Sequence, residues 1–300
     1  MKKIFALLLL SLLLCSAALA EPLSATSPTG APSLALAMMA KEQPEQFTSI
    51  AADAIAAEFA GAKSDFLVAP INAGAKLFAA GKSTYRLAAV VTWGNLFFAS
   101  QRPDFSAEAM NGQEVVLFGE NMVNASVALA ALAGNGIAPQ TVSYLGSAAN
   151  TQALLLSDAS AIVLTAEPAL SAAKMKNPAI TAVAMNDLLL GATGMQGYAQ
   201  AGLFVKGETA QTQPEAVATF LAAAQASCET ASLDPEALAK AAVALEILPN
   251  EKVALAAIPG CAIRYVAAPE AREAVEATAA IDLAQFGGAL PADDFYYGAN

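Results

Sequence analysis

A hydroxyl nucleophile one helical turn from an amine base is the most explicit chemical spacing in the chain. Ser171-Ala172-Ala173-Lys174 has the SxxK arrangement, in which lysine would activate serine for attack. Neither KTG nor SDN accompanies it, and two fixed letters in four recur by chance. Lys174 therefore reads as a solvated helix residue, and a serine hydrolase using Ser171 and Lys174 is the lesser reading. The chain contains no histidine, which excludes a Ser-His-Asp triad, a Cys-His pair, an HExxH zinc helix and an imidazole base. Asp, Glu, Lys, Tyr, Ser or Cys would have to carry any catalysis. With 15 Lys and Arg against 26 Asp and Glu, the net charge is −11, and the basic face that phosphate backbones require is missing. Nucleic acid is not an expected partner, and no metal or cofactor is expected.

The 300 residues are 56% hydrophobic with a mean hydropathy of +0.50, a balance that suggests a membrane protein. Its distribution argues otherwise, because a spanning helix needs about 20 consecutive apolar residues and only Ile4 to Ala20 approaches that. Met1-Lys2-Lys3, the apolar run Ile4 to Ala17 and the small-x-small Ala18-Leu19-Ala20 before Glu21-Pro22 form a secretory signal. We place cleavage after Ala20 and the mature protein in the periplasm. A lipid anchor at Cys15 is disfavoured because Leu14 stands where a small residue is usual. Cys228 and Cys261 remain in the mature chain, either as a disulfide or as two buried free thiols.

The elements that would position any site alternate short apolar runs with alanine-rich helical stretches, the pattern of an α/β protein with mainly parallel strands. Strands are predicted at Leu23 to Ser27, Gln46 to Ile50, Phe66 to Ala69, Glu114 to Phe118, Thr141 to Leu145 and Ile162 to Thr165. Tyr85 to Ser100 is extended and broken near Thr92-Trp93-Gly94. Helices are predicted at Ser33 to Lys41 with Ser33 as N-cap, then Asp53 to Ala62, Ala73 to Ala80, Ala125 to Ala133, Asn150 to Leu156 and Ala169 to Lys174. The last hundred residues read as helices Pro214 to Ser227, Asp234 to Leu248 and Pro269 to Ala284, followed by an ordered loop. Asp65 to Asn72 and Ala161 to Pro168 echo each other as strand, proline-containing turn and helix.

The succession Ser27-Pro28-Thr29-Gly30, Asp65 to Asn72, Ala88 to Leu96, Leu117-Phe118-Gly119 and Ala166-Glu167-Pro168 resembles the substrate-binding proteins of ABC importers, in the nitrate, sulfonate, taurine and thiamine-precursor group. Pro214 to Val217, Ile258 to Ile263 and Leu290 to Tyr297 agree with it, in order, over nearly the whole mature chain. The resemblance implies a two-lobed periplasmic-binding-protein type 2 fold with a hinge and an interlobe ligand cleft. Lobe one would be residues 21–97 plus 201–300, and lobe two 98–200. The implied function is capture of a small polar or anionic solute and its delivery, by a monomer without catalysis of its own, to an ABC permease in the cytoplasmic membrane. A ligand-binding module of a sensor system is the alternative. Strand ends followed by helix N-termini would gather in the cleft and favour polar or anionic ligands. On this reading the ligand-binding residues are Ser27, Thr29, Gly30, Asn72, Trp93 as a stacking wall, Gly119 and Asn121, with Glu167 and Gln196 as further contributors. The competing roles are turn and cap bonds for Ser27, Thr29 and Asn72, core or hinge packing for Trp93, and a solvated helix-start carboxylate for Glu167. Arg86, Arg102, Arg264 and Arg272 all lie outside the predicted cleft turns.

Overall fold

The computed structural model describes residues 22–299, so the secretory signal, its cleavage site and Cys15 lie outside the described residues. Among the described residues, eleven strands form two sheets: β1 (Ala25–Pro28), β2 (Phe47–Ile50), β3 (Phe66–Pro70), β4 (Arg86–Thr92), β5 (Leu96–Ser100), β6 (Glu114–Phe118), β7 (Thr141–Leu145), β8 (Ile162–Ala166), β9 (Thr181–Ala184), β10 (Ala201–Val205) and β11 (Ile263–Ala267). The order is β11-β4-β10-β3-β1-β2 in one sheet and β7-β6-β8-β5-β9 in the other. Among the described residues, no helix is long and apolar enough to cross a membrane.

The sheets are mixed, which corrects the expectation of mainly parallel strands. β1 pairs in parallel with β2 and β3, and β6 with β7 and β8. β10 runs antiparallel to β3 and β4, β5 antiparallel to β8 and β9, and β11 antiparallel to β4. Connectivity gives the reason for two of these. β5 is the strand by which the chain enters the second sheet straight from β4, and β10 is the one by which it returns. β5 follows β4 with no helix between, and β10 follows helix Met185–Thr193 but joins the other sheet from β9, so neither connection is a crossover within one sheet that brings a strand back in the same direction.

The local readings fail where a competing contact wins. The predicted Ser33 to Lys41 helix is two short helices, Ala31–Leu34 and Ala37–Glu42, with Gly30 at the first N-cap. Ser33 lies inside it, and its hydroxyl donates to the Pro28 carbonyl at 2.5 Å. The predicted Asp234 to Leu248 helix ends early, as Pro235–Ala244, with a separate helix Glu251–Ala257 beyond it, and Asp234 caps the first by accepting from the Ala237 N–H. The break at Thr92-Trp93-Gly94 is where the chain passes between sheets.

Packing explains the alanine content. Ala35, Ala37, Ala241, Ala242, Ala254 and Ala257 are all fully buried, so alanine at these positions sets close helix contacts. β3, β4 and β10 are buried along almost their whole lengths, as strands covered by helices on both faces should be. Phe66 stacks on Phe220 at 3.9 Å, and Phe59 meets Phe204 edge-on at 5.3 Å. Gly74 is required at that second contact, because a Cβ there would lie 2.4 Å from the Phe204 ring.

Candidate functional site

Helix Ile71–Ala79 begins directly after β3, with Pro70 at its N-cap and no side chain capping it. Its Ile71 N–H is taken by the Gln200 carbonyl; the next N–H groups of the first turn have no partner within the helix. Helix Val123–Gly134 begins in the other half of the molecule, after β6, with Met122 at an equally uncapped N-terminus. The first residues of both helices line one cavity of about 320 Å³. Thr29 closes it from the turn after β1, and Gln200 and Ala201 from the chain's return to the first sheet. The rest of the wall is mostly apolar, including Pro28, Pro32, Ile55 and Pro70.

The polar groups in this wall are held in place from outside it. Asn124 Oδ1 accepts from the Tyr198 hydroxyl at 2.8 Å, which leaves its Nδ2 free, and Tyr198 itself is fully buried. Gln200 donates through Nε2 to Asn95 Oδ1 at 2.9 Å. Gln285 donates through Nε2 to the Asn121 carbonyl at 2.7 Å, and Ser126 donates to Asp282 Oδ2 at 2.6 Å. Residues 282–285, at the end of the chain, therefore tie one side of the cavity to the other. Asn72 Oδ1 is buried with no hydrogen-bond partner.

Of the residues expected to bind ligand, the structure brings Thr29 and Asn72 together on this cavity. Gly30 is the adjacent N-cap with φ 106°, outside the lining. Ser27 shares a hydrogen bond with Ser33 at 2.8 Å and faces another hollow. Gly119 and Asn121 adopt positive φ, 75° and 57°, and shape the loop that delivers Met122 to the cavity without lining it themselves. Trp93 and Gln196 line a second hollow of about 510 Å³ that shares no lining residue with the first. The Trp93 indole N–H donates to the Arg264 carbonyl at 2.9 Å, and the Arg264 guanidinium covers its ring at 4.4 Å.

Glu167 is buried at the crossing between sheets, where its carboxylate accepts from the Ser171 N–H and hydroxyl at 3.0 and 2.8 Å. Burial pushes its carboxyl above the ordinary value, and the Ser171 donors and Lys174 offset this only in part. Gly260 permits the approach, since a Cβ there would lie 2.8 Å from Glu167 Cγ. The Ser171 hydroxyl is thus committed to a carboxylate while Lys174 is exposed, so the SxxK pair is not assembled as nucleophile and base. Cys228 and Cys261 are free and buried; burial pushes the Cys228 thiol up to about 12.

Sequence reasoning missed Met122, Val123, Asn124, Gln200 and Gln285. The helix was placed from Ala125, two residues late, although the Gly119 and Asn121 turn already pointed to its start. Gln200 precedes a strand that the pattern did not reveal. Gln285 lies just past the predicted end of the last helix, and no local signal marks it.

Comparison with known proteins settles the architecture. A crystal structure of an ABC transporter from Parabacteroides distasonis aligns over 93% of this chain and 99% of its own, with TM-score 0.80 and 21% identity. The alkanesulfonate-binding protein SsuA from Xanthomonas axonopodis pv. citri, bound to MOPS, aligns over 91% of this chain and 96% of its own, with TM-score 0.65 and 16% identity. The chain has the two-lobed periplasmic-binding-protein fold. That fold is not confined to transport: the desulfurization enzyme DSZB aligns over 91% of this chain and 96% of its own at TM-score 0.57 and 11% identity. No protein-family model and no curated protein sequence matches the chain.

Proposed function

We propose that this is an extracytoplasmic solute-binding protein of an ABC importer, which captures a small polar solute between its lobes and hands it to a permease in the cytoplasmic membrane. The lobes are residues 21–97 with 201–300, and residues 98–200. One observation carries the reading: two uncapped helix N-termini, one from each half of the molecule, open onto a single cavity of about 320 Å³. Such termini present oriented N–H groups to acceptor atoms of a ligand. Because the two termini are separated by the chain crossings at Trp93 to Asn95 and Gly197 to Gln200, lobe rotation brings them onto the ligand or withdraws them from it. The fold shared with an ABC transporter structure and a sulfonate-binding protein supports the same reading.

Binding, not turnover, is the proposed activity. The test is a thermal-shift screen of the mature protein against a broad library of small metabolites, since a solute that binds only the folded state raises the melting temperature. A solute shift, followed by stimulation of the cognate permease's ATPase by the loaded protein, is the expected result. Failure of every solute to shift the protein would overturn it, and hydrolysis of an ester or β-lactam would put the enzymatic reading in its place.

A further inference from the structure

We infer that the solute is uncharged: a small molecule offering carbonyl- or sulfonyl-type oxygens to the two helix N-termini and an apolar body to the surrounding wall. This rests on the proposed solute-binding reading and narrows the ligand class of the same cleft.

Among the described residues, none that lines the cavity is ionisable; its polar side chains are Thr29, Asn72, Asn124, Gln200 and Gln285. An anion would have to give up its water there without a single counter-charge. Two helix termini and neutral amide side chains would have to replace that water by themselves. The terminus of Val123–Gly134 is moreover already engaged with a negative charge, because Asp282 accepts from Ser126 in that helix's first turn. A carboxylate or sulfonate in the cleft would approach this like charge. Lys76, the one basic residue in the last turn of Ile71–Ala79, stands at the far end of that helix and cannot serve as counter-ion.

A cation fares no better, for no carboxylate or aromatic ring lines the cavity and both helix termini present their positive ends. Amides, lactams, sulfonamides and similar neutral solutes meet every one of these conditions.

The experiment adds matched pairs to the metabolite library: benzamide with benzoate, methanesulfonamide with methanesulfonate, and the neutral and ionised isosteres of each library solute that binds. Dissociation constants are measured by calorimetry at neutral pH. The expected result is that binders are uncharged and that each ionised isostere is at least about tenfold weaker. Binders that are mainly anions or cations, or an ionised isostere that binds as tightly as its neutral partner, would overturn the inference while leaving solute binding intact. A library without any binder removes the solute-binding reading itself, and this inference with it.

Discussion

Two hollows of this molecule, the one at Trp93 and the one between the helix starts, are opposites in the chemistry of their walls. The larger one carries Trp93, Arg264, Glu270 and Glu273, the residue types that attract attention in a sequence. Among the described residues, Arg264 forms no ion pair and instead covers the tryptophan ring. The smaller one, between two helix starts, contains no ionisable side chain and little that stands out by residue type. The smaller is the one we propose as the binding site. Its polarity comes from backbone N–H groups fixed by the fold, which need no side-chain ordering on binding, while the charges of the larger hollow lie where water competes for them. Conspicuous residues here support the crossing between lobes, and inconspicuous ones line the proposed cleft.

The sharpest way to break this contrast is to fill one hollow and strip the other. Ala73→Phe should project a ring into the cleft and weaken binding of any solute identified in the screen by about 100-fold or more, near 3 kcal/mol, while Arg264→Ala leaves affinity within about twofold. Calorimetry on both variants decides it, and the reverse ranking would move the site to the larger hollow. Trp93→Ala should act on stability, costing about 3 kcal/mol in chemical denaturation, the low end for a buried tryptophan. Its effect on cleft affinity should be much smaller.

Gln285→Ala tests whether the end of the chain holds the lobes together over the solute. Loss of the bond to the Asn121 carbonyl should cost about 1 kcal/mol, and stopped-flow measurements should show it as an about fivefold faster release, with the association rate nearly unchanged. The smallest effect expected is that of pH on binding. With no titrating group in the cleft wall, affinity should stay flat from about pH 5 to about pH 9.

Stability, unlike binding, should respond to pH, through two carboxylates of opposite character. Burial favours the protonated form of Glu167 and raises its pKa. Its contribution to stability is therefore highest at or below the ordinary carboxylate value and falls as pH rises through the raised one. Burial also acts against ionised Asp65, but the Ser24 N–H, the Thr209 and Ser24 hydroxyls and Lys206 outweigh it and lower that pKa. The stability Asp65 supplies is present above its ordinary value and lost as pH falls through the lowered one. Melting temperatures of Glu167→Gln measured against pH should lose the wild-type decline that sets in above the ordinary carboxylate pKa. A variant that keeps the decline would place its origin elsewhere.

Much of the architecture was legible because it is written in local patterns. The apolar runs at Phe66 to Ala69 and Ile162 to Thr165 are strands in the structure, and Asp234 caps its helix as its position before Pro235 suggests. Thr29 and Asn72 were within reach for the same reason, since Thr29 sits in the turn after a strand and Asn72 in the first turn of the helix that follows one. The antiparallel entry of β5 and β10 was not legible, because strand direction depends on which sheet a strand joins. Gln285 was not legible either. It lies 164 residues from Asn121 in the chain, and no periodicity spans that distance.

The sequence by itself determined the element types, the closed routes to histidine chemistry, the acidic balance and the two lobes suggested by its resemblance to binding proteins. Residue type and short-range spacing fix these through backbone preference and side-chain chemistry. Only the tertiary structure decided which helix starts face each other, that Trp93 and Glu167 belong to the crossing between lobes, and that the cleft wall is free of charge. Those outcomes are set by contacts between residues far apart in the chain, and a helix N-terminus becomes a binding group only when folding leaves it uncapped beside a cavity.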